Sequence, residues 1–116
     1  MNFNNFTTKT QEAVQQAQTI AAANGQQAIE SAHLMNALLE VDENVVPFLL
    51  KKLNVNIPSF QKQLDGIIDQ YPKVTGATPY LGNTANDALQ KALKLIKEFK
   101  DEFVSVEHLL MGLLSG

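Results

Sequence analysis

The sequence has 116 residues, 45% of them hydrophobic, with nine basic residues against twelve acidic ones. One small domain can fill a single core at this length. Every basic residue is a lysine and there is no cysteine, which removes the guanidinium fork that reads phosphate and guanine, and with it disulfides, thiolate chemistry and most structural zinc sites.

No apolar stretch approaches the roughly 18 residues of a membrane span, and the opening Met1-Asn2-Phe3-Asn4-Asn5-Phe6 lacks the basic and apolar regions of a signal peptide. A soluble cytoplasmic protein with neither nucleic-acid nor membrane partners is the expectation. From Thr8 to Asn24, Ala13, Val14, Ala17, Ile20 and Ala21 recur at helical spacing. Thr8 and Gln11 fit a capping box, and Asn24-Gly25 a left-handed C-cap. A second helix is predicted over about Ser31–Val41, with Leu34, Met35, Leu38 and Leu39 on one face. Asn44 is the predicted cap of a third, with Pro47 in its first turn and Val45, Phe48, Leu49 and Leu53 inward. A fourth runs from about Pro58 to Gln70 on Phe60, Leu64, Ile67 and Ile68, although Gly66 inside it costs up to about 1 kcal/mol relative to alanine.

Tyr71 to Gly82, with Pro72, Gly76, Pro79 and Gly82, reads as a connector rather than an element. Asn83 or Thr84 then opens a fifth helix reaching about Phe99, with Ala88, Leu89, Ala92, Leu95, Ile96 and Phe99 inward. A last helix begins near Ser105 and carries Leu109, Leu110, Leu113 and Leu114. Phe103-Val104-Ser105-Val106 reads as its extended lead-in. The fold class is all-α.

Displaced by 75 positions, residues 6–41 lie over residues 81–116 without a gap. Ala13 meets Ala88, Gln15 meets Gln90, Ala17 meets Ala92, His33-Leu34 meets His108-Leu109, and Leu38-Leu39 meets Leu113-Leu114. Apolar positions match throughout, which marks a duplicated helical unit: repeat one over about 6–70, the connector over about 71–82, and a partial repeat two over about 83–116 that stops after its second helix. Counterparts of residues 44–70 would begin only after residue 116, so Leu109, Leu110, Leu113 and Leu114 are expected to be exposed or covered by another chain. Each forfeits up to about 1.5–3 kcal/mol if left uncovered.

Catalytic signatures are missing. Gly76 to Gly82 has the wrong spacing for a phosphate-binding loop and no following lysine. His33 and His108 each sit near a helix start, and Glu107-His108 has no third zinc ligand in view, so both histidines read as packing residues. Glu40, Asp42 and Glu43 read as a solvated helix end, and Lys91, Lys94, Lys97 and Lys100 as a solvent-facing row opposite the apolar stripe. The two copies differ in charge: Gln26 and Ala32 correspond to Asp101 and Glu107. This puts two carboxylates around the turn into the last helix, suited to an anionic rim beside an apolar groove.

Met1-Asn2-Phe3-Asn4-Asn5-Phe6-Thr7, Ile29-Glu30-Ser31-Ala32-His33-Leu34 and Asp101-Glu102-Phe103-Val104-Ser105-Val106-Glu107-His108-Leu109 resemble the N-terminal domain of the Clp/Hsp100 AAA+ ATPases, most closely the ClpB-type disaggregases. The resemblance implies a pseudo-two-fold bundle of two helical repeats that engages unfolded or aggregated polypeptides. It further implies AAA+ modules in the same chain, a homohexameric parent, and ATP and Mg²⁺ held there rather than in this segment, which carries no catalytic residue, metal or cofactor of its own. Thr7, Asp101 and Glu107 match the positions that help engage substrate, and Leu89 an apolar groove position. Lys91 and His108 stand where some relatives have leucine. ClpC-type domains carry Glu-His at both helix starts, whereas Ala32 precedes His33 here. The alternative implied is an adaptor- or substrate-docking N-domain of a ClpC/ClpA-type unfoldase serving a protease.

Overall fold

The computed structural model describes residues 2–76 and 78–115; Met1, Ala77 in the connector and Gly116 at the end of the second unit lie outside the described residues. Six helices account for most of these residues: α1 (Thr8–Ala23), α2 (Ser31–Val41), α3 (Val45–Lys52), α4 (Ile57–Gln70), α5 (Asn83–Glu98) and α6 (Val106–Leu114). Two short strands, β1 (Ala28–Ile29) and β2 (Tyr80–Leu81), pair in parallel. β2 therefore gives the connector an element of its own. Two residues are too few to show a period, and the partner lies some fifty residues away, so no local pattern announces it.

The caps explain where the helices start. Thr7, not Thr8, opens α1: its Oγ1 accepts from the Thr10 N–H at 3.2 Å, while Gln11 Nε2 donates to the Phe6 carbonyl. Asn56 caps α4 by accepting from the Ser59 N–H. At α3 the Asn44 side chain makes no cap bond. Asp42 supplies it instead, its Oδ2 accepting from the Val46 N–H at 2.6 Å while the residue is 3% exposed. Asp42 is thus a buried cap rather than part of a solvated helix end, because a carboxylate is favoured against unpaired N–H groups at a helix start.

The duplication is visible in the backbone. Thr7 N–H donates to the Val104 carbonyl and Gly82 N–H to the Ile29 carbonyl, at 3.0 and 2.8 Å. These pairs are related by the same 75-position displacement. The lead-in of each unit is therefore strapped to the turn of the other, through the Phe6–Val104 bridge on one side and the β1–β2 pair on the other. Gly25 and its counterpart Lys100 both take the left-handed conformation, at φ 67° and 57°, so the turn geometry persists where the glycine does not.

The core runs through both units, with Leu34, Leu38, Val46, Leu50, Leu89, Val104, Leu109 and Leu110 fully buried. α6 packs on α5, α2, α3 and α1. Leu109 and Leu110 are consequently buried within the same chain, contrary to the expectation from the sequence; Leu113 is partly buried and Leu114 exposed. Five residues expected inward also face solvent: Val45, Phe48, Leu53, Ile67 and Phe99. In α3 the inward pair is Val46 and Leu50. Phe48 lies about 200° around the helix from Val46 and must point away.

Candidate functional site

Both histidines are structural. His33 Nδ1 accepts from the Glu30 N–H at 2.9 Å, and His108 Nδ1 from the Ser105 N–H at 3.0 Å. Each ring nitrogen so occupied leaves the proton on Nε2. His33 Nε2 donates to Gln26 Oε1 at 2.6 Å, and Gln26 Nε2 to the Ile68 carbonyl at the end of α4. His108 Nε2 donates to Asp101 Oδ2 at 2.9 Å. The same ring makes the same pair of bonds in each copy, with an amide as acceptor in one and a carboxylate in the other.

Burial holds the His33 imidazole below its ordinary pKa, with the Glu30 charge opposing in part. A lowered folded value means that the folded state prefers the neutral ring and the unfolded chain protonates first. This stabilisation is complete above the unfolded pKa of about 6.5 and is lost as pH falls from there toward the folded value. The urea midpoint is expected to drop between about pH 7.5 and about pH 5.5, and His33→Asn, though less stable at neutral pH, should show a flatter dependence. Equal slopes in the two proteins would clear the ring of responsibility.

The four residues singled out in the sequence have separate positions. Leu89 is fully buried; it holds α5 to the core and presents no surface to a ligand. Thr7 is half-buried, committed to the α1 cap and to Val104. Asp101 lies at the α5–α6 turn, its side chain 47% exposed and bonded to His108. Thr7 and Asp101 therefore brace the segment leading into α6 from either side. Glu107 stands in the first turn of α6 and reaches a groove.

That groove, about 630 Å³ and open to solvent, runs between α3 and the start of α6. Val45, Pro47, Phe48 and Leu49 provide its apolar lining, and Glu43 and Glu107 stand on it, with Lys51 as the cation. Phe48 is 57% exposed, and Lys52 Nζ sits 5.2 Å from its ring centroid. Glu43 is exposed as expected, but the exposure of Val45 and Phe48 was missed in the sequence. Its signal was surplus: Val45, Val46, Phe48, Leu49, Leu50 and Leu53 crowd one short helix, more than one buried stripe accommodates. Such a surface can bury apolar side chains and orient cationic ones, and its lining holds no nucleophile–base pair. Among the described residues no three His, Asp or Glu side chains are grouped to hold a metal, and no helix is long and apolar enough to cross a membrane.

Residues 5–116 match the family model described as the Clp repeat (R) N-terminal domain. Over 115 residues the chain is 49% identical to chaperone protein ClpB of Bacteroides thetaiotaomicron and 40% identical to ClpB of Porphyromonas gingivalis, in each case covering 99% of this chain and 13% of the relative. The chain thus spans about an eighth of the length of these relatives. Among solved structures, the N-terminal domain of the ClpV1 ATPase from E. coli superposes with a TM-score of 0.87 at 20% identity, covering 98% of this chain and 70% of that one. The Hsp104 N-terminal domain from Candida albicans gives 0.82 at 19% identity, covering 96% and 74%.

Proposed function

From the premise that this chain belongs to the Clp repeat N-terminal domain family, we propose that it is the substrate-engaging domain of a ClpB-type disaggregase. In this reading it captures exposed apolar segments of unfolded or aggregated polypeptides and hands them to AAA+ modules of the same protein, which assemble as a hexamer and hold ATP and Mg²⁺. The observation that carries the reading is the α3–α6 groove, where the exposed Phe48 lies beside Glu43 and Glu107. Burying a large side chain there supplies affinity, and the carboxylates favour segments that carry lysine or arginine next to the apolar residue. We assign Glu107 to the contact surface, and Thr7 and Asp101 to holding the α6 lead-in that presents it.

Titrating labelled unfolded polypeptide against the chain tests this. Glu107→Ala is expected to weaken binding about threefold to tenfold, more at low salt than at high salt, with the melting curve unchanged. Phe48→Ser should weaken it at every ionic strength. Thr7→Ala should weaken it only alongside a loss of about 1 kcal/mol in stability, the worth of an N-cap. Unchanged affinity in all three variants removes the proposed groove.

A further inference from the structure

We propose that the recess between the end of α4, the connector and the segment before α2 is a binding site for a quaternary ammonium group, held by two tyrosine rings and the carboxylate of Glu30. The recess measures about 180 Å³, and every wall of it comes from residues 27–80. Tyr71 and Pro72 close it just past the end of α4, Val74 and Tyr80 close it farther along the connector, and Gln27, Ala28 and Glu30 complete it from the segment leading into α2. The backbone fixes that arrangement. Val74 N–H donates to the Gly25 carbonyl at 2.9 Å, and Tyr80 N–H to the Gln27 carbonyl at 3.0 Å, so the connector is pinned to the turn after α1 at two points. A cavity of about 150 Å³ is enough for a benzene-sized group, and a trimethylammonium head is smaller than that.

The charge on this recess has no counter-charge. Among the described residues the one ion pair within 4 Å is His108–Asp101, and Lys73, the connector's cation, donates instead to the Asn24 carbonyl at 2.9 Å. Glu30 is half-buried. Its Oε1 accepts from Thr84 Oγ1 at 2.8 Å, and that hydroxyl accepts in turn from the Ser31 N–H, so the carboxylate is held in place with lone pairs to spare. Burial, and with it the nearby Glu30 charge, holds the Tyr71 phenol above its ordinary pKa, which keeps that ring uncharged beside the acid. The turn itself does not require the acid. Ser105 occupies the equivalent position in the second unit, and its N–H donates to His108 Nδ1 as the Glu30 N–H does to His33 Nδ1. Tyr80 likewise corresponds to Asn5. The walls then choose the kind of cation. An ammonium brings three N–H donors and a guanidinium five, and each loses water on entering and needs an acceptor in return. Ala28, Pro72 and Val74 offer none. A quaternary ammonium carries no N–H: its methyl groups bury against these walls, Glu30 meets its charge, and the ring faces of Tyr71 and Tyr80 attract it. The recess shares no residue with the α3–α6 groove, and this inference stands independently of the groove reading.

The test follows the backbone amide resonances of the full chain during titration with choline, with a short peptide carrying trimethyllysine, with the same peptide carrying unmodified lysine, and with 3,3-dimethylbutanol, the uncharged isostere of choline. Saturable shifts centred on Ala28, Glu30 and Tyr80 are expected from the quaternary ligands, and the tighter of the two identifies the source as a free cation or a polypeptide side chain. Unmodified lysine and the uncharged isostere should each bind at least about fivefold more weakly. Glu30→Gln, whose amide oxygen still accepts from Thr84, should weaken the quaternary ligand about fivefold or more. Tyr80 is 53% exposed, so its variants leave the core intact: Tyr80→Ala should weaken binding to a similar extent, and Tyr80→Phe, which keeps the ring, should not. The proposal is overturned if neither quaternary ligand gives a saturable shift at these residues, if the isostere or unmodified lysine binds equally well, or if Glu30→Gln or Tyr80→Ala, melting as the parent does, leaves the affinity unchanged.

Discussion

Gly112→Ala is expected to destabilise the chain by about 2 kcal/mol and to lower Tm by about 10 °C, although alanine is the better helix former. A Cβ at this position would lie 2.5 Å from the Ala88 carbonyl oxygen and 3.3 Å from the Ala92 nitrogen. Both are backbone atoms of α5 and cannot rotate aside, so α5 and α6 must separate. Overpacking of this kind costs about 1–3 kcal/mol or more, against a gain of about 1 kcal/mol in helix propensity. Gly66 is the internal control. It is exposed within α4, and a Cβ there meets nothing within 4 Å, so Gly66→Ala should stabilise by up to about 1 kcal/mol. Urea denaturation of the two variants should give shifts of opposite sign. Two stabilising shifts would mean that the helices separate at little cost.

Gly112 also marks what the sequence could and could not convey. Its counterpart in the first unit is Ala37, fully buried, and the alanines opposite, Ala13 and Ala17 against Ala88 and Ala92, are the identities that revealed the duplication. Small residues recur there because helices approach closely at those positions, so a packing constraint was legible as a sequence match. The six helices followed from periodicity for the same reason, that it is local, although two of the expected N-caps moved, from Thr8 to Thr7 and from Asn44 to Asp42. The larger failures were non-local. The β1–β2 pair joins segments with no pattern of their own. The burial of Leu109 and Leu110 depends on α6 packing on α5 and on helices of the first unit together, which no helical wheel encodes. The groove was only half legible: the acid at 107 showed in the comparison of copies, but Phe48 looked like core because an apolar residue in a short amphipathic helix gives no sign of which way it turns. Leu89 failed in the opposite sense, since matching a family position says nothing about whether the side chain reaches the surface in this chain.

Asp101 separates a contact role from a positioning one, and Asp101→Ala and Asp101→Asn are expected to diverge. The resemblance to the family implies that this aspartate touches substrate. The geometry gives it a different part to play. It accepts the Nε2 proton of His108, a ring 10% exposed whose other nitrogen receives the Ser105 N–H at the start of α6. Removing the acceptor leaves a buried donor without its partner, a loss of about 1–2 kcal/mol, and loosens the turn that carries Glu107. An amide is a sufficient acceptor, because Gln26 takes the same bond from His33 in the first unit. Asp101→Asn should therefore retain most of the stability and most of the affinity for unfolded polypeptide, while Asp101→Ala loses both together. If the carboxylate instead meets cationic groups on the substrate directly, Asn would keep the stability and lose the affinity, with a reduced salt dependence. Stability and binding measured on the same two variants decide between these, and the copy of the network in the first unit argues for the former. In the duplicated unit the histidine is common to both copies, and its acceptor is an amide in one and an acid in the other, each bond holding the ring at the start of its helix.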